Sequence, residues 1–200
     1  RDSSTSRGLG DVYKRQDALV GRGKYCDYPE SVTELPVVQS GAETNIEEIL
    51  ALEPQIVLMS DMSQTEEQAK LLEQNGVKVV ISDANDIAGV YTAIRMIGTL
   101  MAKNDEAEAL IADMQATFDE IAAKSEKSDK TIYFEVSPLQ WGLWTAGSGT
   151  FMDELATMCG VTNAFADISG WQSISEEQVI ERNPDYIVSI AGMGDTAVEE

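Results

Sequence analysis

Histidine is absent from this 200-residue sequence. That removes the usual general base, the usual member of a catalytic triad and the commonest zinc ligand. The absence weighs against most hydrolase mechanisms and against a histidine-ligated metal or haem site in this segment. Cysteine is nearly absent as well: Cys26 and Cys159 are too few for a disulfide framework, and pairing, free thiols and outside bonds all stay open. No stretch approaches the ~20 apolar residues of a membrane span. Positive charge is scarce, with 14 Lys and Arg against 35 Asp and Glu. A net charge of −21 repels phosphate and argues against nucleic acid as a partner. With 43% hydrophobic and 24% charged residues, the composition is that of a globular chain that buries a core.

What is present is organised around Asn104 to Lys124, NDEAEALIADMQATFDEIAAK. Ala107, Leu110, Ile111, Met114, Phe118, Ile121 and Ala122 recur at the spacing of one helical stripe. Asn104 is expected to cap the first turn, Asp105 and Glu106 suit its dipole, and Lys124 suits the far end. On either side stands a similar unit. Asn45 to Met59 (NIEEILALEPQIVLM) and Ser175 to Ile190 (SEEQVIERNPDYIVSI) each read as a short helix, a proline and an apolar strand. Pro54 superposes on Pro184, Glu47 on Glu177, Ile49 on Val179 and Val57 on Ile187. Two such units predict two α/β lobes with parallel sheets, joined by the single long helix and enclosing a cleft.

The remaining pattern fits. TNIE (Thr44 to Glu47) and SQTE (Ser63 to Glu66) read as capping boxes, the second opening a helix that stops at Gly76. Val77 to Ile81 predicts a strand, and Asp86 to Ala102 a helix with Ile87, Val90, Tyr91, Ile94 and Met101 on one face. Thr131 to Val136 predicts a strand, and FMDELATMC a helix stopped by Gly160. Residues 1–16 carry net charge +2 while the other 184 carry −23, and they resemble translated adapter sequence. They are read as a non-native leader. Residues 17–103 form the expected N-terminal lobe, 104–124 the inter-lobe helix and 125–200 an incomplete C-terminal lobe, so both ends are expected to be truncated.

Candidate binding residues lie in the predicted loops. Trp141 and Trp144, in SPLQWGLWTAGSGT, follow a predicted strand at the end where parallel sheets bind ligands. A tryptophan there suits stacking on a planar ligand, though it equally suits anchoring the loop to its own core. Tyr25, Tyr28 and Trp171 occupy similar loop positions. AGSGT (Ala146 to Thr150) precedes a helix and could set amides around an anion, but it lacks phosphate-loop spacing. VGRGK fails the same test, because Ala18 stands where the first glycine belongs.

The ordered blocks VGRGKYCDYP, NIEEILALEPQIVLM, GVKVV, YFEVSPLQWGLWTAGSGTFMDELATMCGVTNAF and GWQSISEEQVIERNPDYIV resemble the cobalamin and iron–siderophore class of ABC-transporter substrate-binding proteins. The resemblance runs from Asp17 to the C-terminus. It implies two α/β lobes on one rigid helix, an extracytoplasmic location (periplasmic or as a membrane-anchored lipoprotein) and delivery of cargo to an ABC permease dimer by a monomer. It implies docking posts for permease arginines at Glu66 and Glu177, with Glu67 and Glu176 as alternates. KYCDYP and GWQS resemble the cobalamin binders most, which implies that Tyr28 and Trp171 face the ligand. The expected cargo is a corrinoid, with a ferric siderophore or haem as alternatives; no catalytic residue, metal ligand or resident cofactor is expected. The rival from another class is an α/β enzyme holding a nucleotide or metal in the same cleft.

Overall fold

The computed structural model describes residues 18–40, 43–60, 65–137 and 139–190. The leader 1–16, Asp17, Ser63 of the second capping box and residues 191–200 lie outside them. The chain divides into two compact units, one of residues 1–84 and 89–111, the other of residues 85–88 and 112–200.

The first unit opens with β1 (Arg22–Gly23), β2 (Val37–Ser40) and β3 (Glu43–Thr44), a small sheet in which β1 and β2 run parallel and β3 antiparallel. Then come α1 (Ile46–Ala51), β4 (Ile56–Ser60), α2 (Thr65–Gln74) and β5 (Lys78–Ser82). β4 and β5 pair in parallel from Ile56 with Lys78 to Ser60 with Ser82, as a β–α–β alternation requires. Ile49 of α1, Leu72 of α2 and Val77 form the buried centre, with Val57, Met59 and Val79 packed against them. α1 is capped by Asn45, whose side chain accepts from the Glu48 N–H at 3.0 Å. The capping box was expected one residue earlier. Thr44 ends β3 and donates its hydroxyl to Gln68 instead.

α3 (Ile87–Leu100) and α4 (Asn104–Lys124) follow. α4 has the bounds read from its periodicity, and the division between the units falls inside it, between Ile111 and Ala112. Asn104 lies within the first turn, where its Oδ1 accepts the Thr99 hydroxyl at 2.9 Å. Ala107 and Ile111 are buried, Leu110, Met114 and Phe118 half-buried, and Ile121 and Ala122 exposed. On α3 the buried residues are Ala93, Ile94, Ile97 and Gly98, and the predicted face turns inward, with Ile94 buried and Ile87, Val90, Tyr91 and Met101 half-buried. Gly98 stands on that stripe for a steric reason. A Cβ on Gly98 would stand 2.6 Å from the Ala107 Cβ and 3.2 Å from the Lys103 carbonyl oxygen. Small residues bring the two helices together here, where larger apolar side chains would hold them apart.

The second unit is built on β6 (Thr131–Glu135), the middle strand of a parallel sheet ordered β10–β6–β8. After β6 come β7 (Trp144–Ala146), α5 (Phe151–Met158), β8 (Thr162–Asn163), β9 (Trp171–Ser173), α6 (Glu176–Arg182) and β10 (Tyr186–Ser189). β7 and β9 form a separate antiparallel ribbon. Phe134, Val136, Ala146, Met152 and Ala156 make the core. Buried Asn163 joins three elements, donating to the Ala146 carbonyl and the Asp153 carboxylate while accepting from the Phe165 N–H.

The internal repeat extends to backbone geometry. Ser175 caps α6 in a full capping box with Gln178, as Asn45 caps α1 at Glu48. Glu53 and Asn183, the residues before Pro54 and Pro184, both take left-handed conformations, with φ of 49° and 43°. Both strands then begin two residues beyond the proline. The shared proline is the visible mark of a shared turn.

Two outcomes are expected. Gly98→Ala will lower stability to urea, because about 1–3 kcal/mol of overpacking outweighs the ~1 kcal/mol of helix propensity alanine gains. Adding Ala107→Gly should restore part of that loss. Tyr133 is 1% exposed, and its hydroxyl has no hydrogen-bond partner among the described residues. Burial, then the nearby Glu135 carboxylate, pushes its phenol up to about 12. The unfolded phenol ionises near ~10, so this contribution is complete below that pH and fades as pH rises through the folded value. Tyr133→Phe should flatten the alkaline fall of the melting temperature and leave stability at neutral pH unchanged or higher.

Candidate functional site

The candidate aromatic residues fall into two groups, one in each unit. In the first unit Tyr25 and Tyr28 stand in the turn between β1 and a short 3-10 turn at Glu30–Glu34. These residues are 45% and 55% exposed. Lys24 Nζ sits 5.5 Å from the centre of the Tyr25 ring. Val32 is buried beneath this turn.

In the second unit the three tryptophans part company. Trp141 ends a short 3-10 turn and is 77% exposed. Trp144, expected in a loop, lies on β7, because the residues after Gly142 pair with β9. Its register partner is Ser173, and Trp171 stands opposite Ala146. Alternation along each strand therefore puts Trp144 and Trp171 on one face of the ribbon, as diagonal neighbours. Trp171 is half-buried. It packs against the core and tilts against Phe151, ring centres 5.7 Å apart. Its indole N–H donates to Asn85 Oδ1 at 3.3 Å.

Asn85 and Glu154 are residues the sequence reading missed. The Asn85 carbonyl accepts the Phe151 N–H at 2.7 Å, and Glu154 Oε2 accepts the Ile87 N–H at the same distance. These bonds hold residues 85–88 to the second unit although the chain on both sides belongs to the first. Nothing local in SDAND marks Asn85, because its partners lie 66 and more residues away.

The glycine-rich AGSGT segment is committed to its own neighbours. Gly147 and Ser148 donate their amides to the Gly170 and Ile168 carbonyls at 2.8 and 2.7 Å. A Cβ on Gly147 would lie 2.1 Å from the Ile168 carbonyl oxygen, so only glycine allows the approach. Thr150 caps α5, accepting the Asp153 N–H. These amides face protein oxygens, not an anion. Among the described residues no group of three or more His, Cys, Asp or Glu is placed to hold a metal ion. Cys26 and Cys159 are not joined in a disulfide.

The two carboxylates of interest lie in first helical turns, Glu66 on α2 and Glu177 on α6. Lys70 bonds Glu66 at 2.6 Å, and that bond holds the Glu66 carboxyl below the usual range. Glu177 is lowered by its own backbone amide and then by Ser175. Both therefore keep their negative charge well into the acid range. The Glu66–Lys70 pair is exposed and contributes little to stability. A partner's cation would have to compete with Lys70. Glu67 and Glu176 occupy the adjacent exposed positions of the same turns.

Comparison with known proteins places this geometry. The periplasmic binding protein family matches residues 5–198. An uncharacterized ABC transporter substrate-binding lipoprotein, YvrC of Bacillus subtilis, is 32% identical over 200 residues, covering 96% of this chain and 61% of the relative. The vitamin B12-binding protein of Salmonella typhi is 31% identical over 178 residues, covering 86% of this chain and 65% of the relative. The chain thus spans less than two thirds of the length of either. A structure described as a possible iron-binding (periplasmic solute-binding) protein from Staphylococcus epidermidis superposes with a TM-score of 0.78 at 26% identity. That match covers 97% of this chain and 77% of the other. The mixed α/β fold with parallel sheets is the one these proteins share, and the chain belongs to the periplasmic binding protein family.

Proposed function

We propose that this chain serves as the substrate-binding component of an ABC importer, capturing a corrinoid outside the cytoplasm and presenting it to a permease dimer. The observation that supports it most is the 31% identity with a vitamin B12-binding protein across 178 residues. Exposed aromatic faces agree with it: a corrin ring is broad and planar, and Tyr28, Tyr25, Trp141 and Trp144 offer large flat surfaces. Trp171 contributes its half-buried ring through the bond to Asn85. Capture rests on shape and stacking, with no covalent step and no resident cofactor. The chain acts as a monomer. YvrC, the relative named a lipoprotein, supports membrane anchoring as the route of retention outside the cell membrane. Among the described residues no helix is long and apolar enough to cross a membrane.

A ferric siderophore is the second reading, favoured by the likeness to the protein described as a possible iron binder. Calorimetric titration with cyanocobalamin, a ferric hydroxamate, a ferric catecholate and haemin separates the two. Saturable binding of cyanocobalamin is expected, weakened at least ~10-fold by Trp171→Ala and by Tyr28→Ala. Tight binding of a ferric chelate with none of cyanocobalamin would replace the corrinoid by the iron ligand. Measurable turnover of a nucleotide would instead revive the enzyme.

Glu66 and Glu177 are the proposed docking posts, each a persistent negative charge at an exposed helix start. Interface charges of this kind set register and encounter rate more than affinity. Glu66→Lys with Glu177→Lys should abolish stimulation of the transporter's ATPase in proteoliposomes while cyanocobalamin affinity stays unchanged. Equal stimulation by the double variant would move docking elsewhere.

A further inference from the structure

Arg22 spends its side chain on the main chain of a single loop. Nη1 donates to the carbonyl oxygens of Gly23, Lys24 and Cys26 at 3.2, 2.8 and 3.2 Å. Nη2 donates to the Thr33 carbonyl at 3.2 Å. The Nε hydrogen is buried and meets no acceptor among the described residues. Nη1 has two protons for three carbonyls, so at least one is shared. The segment from Gly23 to Thr33 therefore curls around a guanidinium, its oxygens inward. Its aromatic side chains, Tyr25 and Tyr28, are exposed.

The anchor for this arrangement is a strand residue. Arg22 is in β1, where its own N–H donates to the Pro36 carbonyl at 3.0 Å and its register partner on β2 is Val37. Inside the loop the Cys26 N–H returns to the Gly23 carbonyl, and the Thr33 hydroxyl donates to the Glu30 carbonyl. Of the loop's side chains only Val32 is buried. Convergent carbonyl oxygens repel one another unless a cation stands among them, and a planar fork reaches two directions that one ammonium cannot.

We propose that Arg22 is the positioning residue of the Tyr25–Tyr28 loop, fixing both rings in the orientation in which they meet a planar ligand. This rests on the ligand reading given above for those tyrosines. The loop is pre-organised by Arg22, so binding does not have to supply the ordering of eleven residues.

Hydrogen exchange and calorimetry on the full chain test it in separable ways, with cyanocobalamin as the probe. In Arg22→Gln, amides between Gly23 and Thr33 should exchange at least ~10-fold faster without ligand, while those of β4 and β5 are unchanged. Cyanocobalamin affinity should fall by about as much as in Tyr28→Ala, and Arg22→Lys should not restore it. With both tyrosines replaced by alanine, Arg22→Gln should cost no further affinity, because its action passes through those rings. A merely structural arginine would give additive losses instead, and that result overturns the proposal. Unchanged loop exchange in Arg22→Gln overturns it whatever binds. A wild-type chain that binds no probe removes the ligand reading and the ligand half of this proposal, while the exchange measurement still decides whether Arg22 holds the loop.

Discussion

The close approach of Gly98 to Ala107 constrains how α3 passes into α4. It lies at the turn between α3 and α4, the helix in which the division between the units falls, and beside the Ala107 methyl no further side-chain carbon fits. Where α4 sets out is therefore decided by two small residues and the Lys103 carbonyl beside them. The ion pairs across the same turn, Arg95 with Glu108 at 2.6 Å and Lys103 with Glu106 at 2.5 Å, are exposed or nearly so and can only reinforce a geometry that close packing has already chosen.

The aromatic residues divide by what holds them. Trp171 is fixed by core packing, by Phe151 and by a hydrogen bond to Asn85, so its ring has one place to be. At Tyr25 and Tyr28 a guanidinium bonds the carbonyls of the surrounding main chain. Trp141 stands farthest out.

Much of this was legible in the sequence. The long helix and the paired helix–proline–strand units carry periodicities that survive folding, because each element's own pattern agrees with its surroundings. The reading slipped where a distant partner overrides a local signal. TNIE was taken for the cap, but Thr44 is drawn to Gln68 on another helix. Trp144 was taken for a loop residue, but its strand exists only because β9 lies beside it, 27 residues on. On α3 the apolar pattern names the inward face but does not count Gly98, which lies on it. Asn85 and Arg22 escaped notice for a related reason: their importance lies in carbonyl oxygens, which every residue has and no sequence displays.

The two related units differ in how far the chain must travel to close them. β4 meets β5 between residues 22 apart, Ile56 and Lys78, whereas β6 meets β10 between residues 54 apart, Ile132 and Tyr186. Closing the longer loop costs more chain entropy, by roughly 0.8 kcal/mol on the logarithmic law. The capped helix, the left-handed residue and the proline are complete within each copy and need no distant contact. Two segments with the same local instructions thus enter folding at different points. The earlier copy finds its strand partner close by in the chain, and the later one waits on a contact that spans most of its unit.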